Sequence, residues 1–117
     1  MGWLYEGVED RIPVAVRDLL ESSEPFASPV VELELAYLHE VGRVSEPPAA
    51  PLGALGRTIG LRIADVPAAA LTRAALDLSW TRDPFDRLIA AHALVANVPL
   101  LTADRTILEH LPLARWT

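Results

Sequence analysis

Asp83-Pro84-Phe85-Asp86-Arg87-Leu88-Ile89-Ala90-Ala91-His92-Ala93, followed by Val98-Pro99-Leu100-Leu101-Thr102-Ala103-Asp104, is the most informative stretch of this 117-residue chain. It reads as a helix from Pro84 to Asn97 and then a short strand from Leu100 to Thr102. Asp83 suits the N-cap, Pro84 the first helical position and Asp86 the first turn. Capping therefore accounts for both aspartates without any function. It does not account for the lane below Asp86. Helical spacing puts Ala90, Ala93 and Asn97 there, and such small residues leave room for a close neighbour or an ion. Phe85, Leu88, Ile89 and Ala96 form a separate apolar face.

Outward from this stretch, short strands alternate with helices. A helix is expected over Pro13 to Glu21 and a very short strand at Phe26-Ala27. Ser28 and Pro29 open a second helix that runs to about Val41, with Gly42 as its C-terminal cap. Ser45 to Gly60, rich in proline and glycine, reads as a loop with at most one helical turn. Leu61 to Val66 alternates like a strand, Pro67 to Leu78 like a helix. Arg105 to Leu111 is a weak helix and Leu113 to Trp116 a last strand. The pattern predicts one α/β domain over residues 1–117, with a small, mostly parallel sheet between helices on both faces. Ligands in such sheets sit at the carboxyl ends of the strands, which draws attention to Thr102 and Asp104.

Composition narrows the class. Hydrophobic residues make up 51 % of the chain, enough for a real core. There is no cysteine, so disulfides and thiolate metal sites are excluded. That fits a reducing cytosol, and a cytoplasmic location is expected. No leader-like pattern and no apolar stretch of membrane-spanning length is present. The formal net charge is −6, unlike a protein that grips nucleic acid by a broad basic surface. An RNA-acting site in this chain would need a local feature, such as a divalent cation in a carboxylate pocket.

Glu32 and Glu34 are two apart on one helix, so they do not share a face. Glu34, among Val30, Val31, Leu33, Leu35 and Ala36, is the better candidate for a partly buried acid. The plain alternative is two solvated glutamates. Acids from separate elements suit Mg²⁺ or Mn²⁺, which prefer oxygen ligands. Two such ions about 4 Å apart can clamp the attacking and leaving oxygens of a phosphoryl displacement. His92 is expected to be packed rather than catalytic. HExxH spacing, a phosphate loop and a nucleophile elbow are all absent from the sequence.

The stretch from Asp83 to Asp104 closely resembles the C-terminal half of VapC-type PIN domains. Ser28-Pro-Val-Val-Glu-Leu-Glu-Leu-Ala36, ending in Val41-Gly-Arg-Val44, resembles their second helix. The resemblance implies a metal-dependent endoribonuclease that acts as the toxin of a toxin–antitoxin pair. It implies a VapB-type antitoxin as partner, a homodimer, an RNA substrate and Mg²⁺ or Mn²⁺ as cofactor. By motif, the acids carried over are Glu34, Asp86 and Asp104, as catalytic and metal-holding residues. Thr102 corresponds to a supporting hydroxyl, and Asp83 is assigned to capping. The family's opening strand ends in a further Asp. Here Trp3-Leu4 resembles the helix that follows that strand, so the first strand and its acid are expected to be missing. None of Glu6, Glu9 and Asp10 is expected to follow a strand. The alternative function is then a catalytically impaired remnant that only binds an antitoxin or dimerises.

Overall fold

The structure is a computed structural model that describes residues 2–5, 18 and 23–116. Five strands form one parallel sheet: β1 Gly2–Tyr5, β2 Glu24–Ala27, β3 Arg62–Ile63, β4 Leu100–Leu101 and β5 Ala114–Arg115. Their spatial order is β3-β2-β1-β4-β5. Among the described residues the helices with defined bounds are α1 Pro29–Glu40, α2 Ala49–Ile59, α3 Ala68–Leu76, α4 Pro84–Ala96 and α5 Arg105–His110. The helix expected over 13–21 lies outside the described residues, Asp18 excepted.

The expectation of a missing first strand is overturned. Gly2–Tyr5 is the central strand, with Leu4 paired to Phe26 on one side and to Leu100 on the other. Trp3, Leu4 and Tyr5 are all buried. Leu4 faces a core built with Val31, Leu35, Ile89, Ala90, Ala93, Leu100, Ile107 and Leu111. Trp3 and Tyr5 face the opposite core, with Ala27, Leu61 and Leu101. A continuous apolar run buried on both faces is what a central parallel strand requires. A short run such as Trp-Leu-Tyr fits strand as well as helix, and periodicity cannot separate the two.

The expected loop at 45–60 is also corrected, because Ala49–Ile59 is helical. Leu52, Leu55 and Ile59 recur at helical spacing and pack on the Trp3–Tyr5 face. Pro51 falls in the first turn, where no intrahelical N–H is needed. Gly60 ends the helix at φ 72°, its N–H donating to the Leu55 carbonyl. Leu61–Val66 contributes only the two-residue edge strand β3, whose residues are exposed. Helices thus cover both sheet faces, α1, α4 and α5 on one and α2 on the other.

Candidate metal centre

In the lane of small residues on α4, Ala90 and Ala93 are covered, whereas Asn97 is exposed at the helix C-cap. Ala90 and Ala93 are fully buried and share a core with Val31 and Leu35. Without longer side chains between them the two helices approach closely, and the packing stabilises both. Glu34 lies three residues from Val31 and one from Leu35, at the margin of this contact. It is half-buried, whereas Glu32 is exposed. The sequence distinction between the two glutamates therefore corresponds to a difference in burial.

Asp83 and Asp86 come from the start of α4. The Phe85 N–H donates to Asp83 Oδ1 at 2.8 Å and the Asp86 N–H at 3.3 Å, so Asp83 caps the helix as its spacing predicts. Arg87 Nε donates to the Thr81 carbonyl at 2.8 Å and fixes the preceding turn. Carboxylate oxygens of Glu34, Asp83 and Asp86 lie within 4.8 Å of one another. Asp83 thus has two roles, cap and member of the acid cluster. Capping alone had explained it in the sequence. The available signal was that 83 and 86, three apart, share a helix side, and that a carboxylate has two oxygens.

Asp104 stands beside this trio, not inside it. It follows β4 and caps α5, accepting from the Ile107 N–H at 3.0 Å. The Asp104 N–H in turn donates to the Thr102 hydroxyl at 3.1 Å, and Thr102 is buried. The supporting hydroxyl of the sequence reading thus holds the Asp104 backbone. Asp104 is close enough for its charge to act on both Glu34 and Asp86.

Burial, and then the charges of Asp86, Asp83 and Asp104, push the Glu34 carboxyl from 4.5 up to about 7. Burial, followed by Asp83 and Asp104, pushes Asp86 from 3.8 up to about 6. Carboxylates gathered in a half-buried place resist ionisation together. A hard divalent cation relieves that repulsion, and an all-oxygen donor set suits Mg²⁺ or Mn²⁺. The residues present fit such an ion. His92 takes no part in the cluster. It is buried in α4, and its Nδ1 has no hydrogen-bond partner among the described residues.

A profile of the PIN domain matches residues 3–111. The chain belongs to the PIN-domain family. The match begins inside β1 and runs through α5, so it spans every element that carries a cluster acid. Among solved structures this PIN domain is similar to VapBC2 from Rickettsia felis, determined bound to a DNA fragment from their promoter. The TM-score is 0.67 at 20 % identity, covering 97 % of this chain and 96 % of that one. At that identity the likeness is one of fold. No curated protein is significantly similar in sequence. Among the described residues of this PIN domain no helix is long and apolar enough to cross a membrane.

Proposed function

We propose that this PIN domain is a divalent-ion-dependent endoribonuclease of the VapC toxin type. The observation that carries the reading is the convergence of Glu34, Asp83 and Asp86 within 4.8 Å. Three elements of chemistry support it. The donors are all oxygen, two of the three acids are half-buried, and a fourth, Asp104, stands next to them. A bound Mg²⁺ or Mn²⁺ would supply charge neutralisation and polarise a phosphodiester oxygen. Glu34, Asp83 and Asp86 would hold it. Asp104, fixed by the Thr102 hydroxyl and the α5 N-terminus, would orient the attacking water. The net reaction adds one water across a phosphorus–oxygen bond. The water oxygen joins phosphorus, and one of its protons ends on the released ribose oxygen.

The reading of a non-cutting remnant rested on a missing opening strand and on the missing acid at its end. Gly2–Tyr5 supplies the strand. Glu6 is the next residue in the sequence after β1 and becomes the candidate for a further acid, although its placement lies outside the described residues. A VapB-type antitoxin and a second copy of the chain remain the proposed partners, in the cytosol. The antitoxin is supported by the similar structure being a VapBC complex.

The test is cleavage of a mixed single-stranded RNA with Mg²⁺ or Mn²⁺, comparing the chain with Asp86→Asn and Glu6→Gln. Cutting that needs the ion and is lost in Asp86→Asn is expected, with Glu6→Gln also impaired. No cutting by the parent chain under any divalent ion would overturn the reading.

A further inference from the structure

Beside the acids stands an aromatic pair, Tyr37 and Phe85, contributed by the two helices that carry them. The Tyr37 and Phe85 rings have centroids 5.8 Å apart and are tilted by 37°. Among the described residues neither ring belongs to any of the three core clusters. Tyr37 is 48 % exposed, and Phe85 is partly buried. The place of Tyr37 on α1 is three residues after Glu34, on the same side of the helix. Phe85 lies between Asp83 and Asp86 in the first turn of α4. The pair therefore borders the acid cluster from both helices that build it.

We propose that Tyr37, backed by Phe85, is a platform on which an unpaired nucleobase stacks next to the phosphate held at the acid cluster. The inference rests on the nuclease reading and adds a specificity-determining residue to it. With a net charge of −6, the surface offers little general attraction for a phosphate backbone. Stacking does not depend on charge, tolerates every base, and demands that the base be out of a duplex. The site then selects single-stranded or looped RNA through one ring. A protein helix lying on the apolar ridge of Leu33, Tyr37 and Val41 is the competing occupant. It would use all three side chains rather than the aromatic pair.

The experiment measures steady-state cleavage of a labelled single-stranded oligoribonucleotide, with Mn²⁺ as the ion. The full chain is compared with Tyr37→Ala and Tyr37→Phe. The same substrate is also made with an abasic residue at the cleavage position. Tyr37→Ala is expected to raise KM about tenfold with kcat within about twofold. Tyr37→Phe should behave like the parent. On the abasic substrate the parent and Tyr37→Ala should become equal. Unchanged KM in Tyr37→Ala, or an equal loss on the abasic substrate, would overturn the platform while leaving the nuclease intact. Unchanged kinetics with lost self-association in sedimentation would assign the ridge to a second copy and also overturn it. Absence of cutting by the parent chain would instead remove the nuclease reading, and the platform with it.

Discussion

Glu34 illustrates how far one side chain departs from its free chemistry. Its carboxyl is raised to about 7 from 4.5, by burial and then by Asp86, Asp83 and Asp104. A raised carboxyl contributes stability that is present below about pH 4.5 and is lost as pH rises through 7. His92 acts in the opposite direction. Burial lowers its pKa below 6.5, so its contribution is present above that pH and is lost as pH falls. The two windows overlap, so the clean readout is a difference between variants. In chelator, Glu34→Gln should melt above the parent at pH 8, and the gap should close by pH 5. With Mn²⁺ at pH 8 the order should reverse, because the glutamine cannot supply the anionic donor. A Glu34→Gln variant that melts below the parent at pH 8 without metal would show that Glu34 is not under repulsion.

At the scale of elements, the acid cluster forms where Val31 and Leu35 of α1 share a core with Ala90 and Ala93 of α4. Ala93 is fully buried in the shared core. Ala93→Leu should cost about 1–3 kcal/mol through overpacking. It should also weaken Mn²⁺ binding although every acid is still present, since Glu34 would be displaced from Asp83 and Asp86. Leu94→Ala is the control, because Leu94 is 41 % exposed on the same helix. Calorimetric titration with Mn²⁺ decides between them. Equal affinity in Ala93→Leu and the parent would mean that the helix contact does not position the acids.

For the whole molecule, a divalent ion held by two helices should stabilise the fold by linkage. An ion at a hundred times its Kd adds about 2.7 kcal/mol. Asp86→Asn should lose this gain. Asp83→Asn should lose most of it while keeping the helix cap, because asparagine also caps. Asp104→Asn should lose less, since Asp104 stands outside the trio. If Asp104→Asn abolished the shift in melting temperature and Asp83→Asn did not, the ligand set would be Glu34, Asp86 and Asp104, as the motif alone suggests.

The sequence by itself determined what depends on local chemistry. Ser28-Pro29 and Asp83-Pro84 marked two helix starts because capping and proline geometry are decided within a few residues. Glu34 stood apart from Glu32 because helical spacing decides sides. The alternation of short strands with helices gave the α/β class, and the resemblance carried by Asp83–Asp104 narrowed it to the family. Only the tertiary structure decided the rest. Gly2–Tyr5 is a strand because the centre of the sheet buries it on both faces, and nothing local in Trp-Leu-Tyr dictates that. Ala49–Ile59 is a helix because Leu52, Leu55 and Ile59 have a sheet face to cover, despite the prolines and glycines around them. Asp83 joins the acids, and Asp104 stands beside them, because side-chain distances across two helices and a strand end are set by packing. Residue types record that geometry only indirectly.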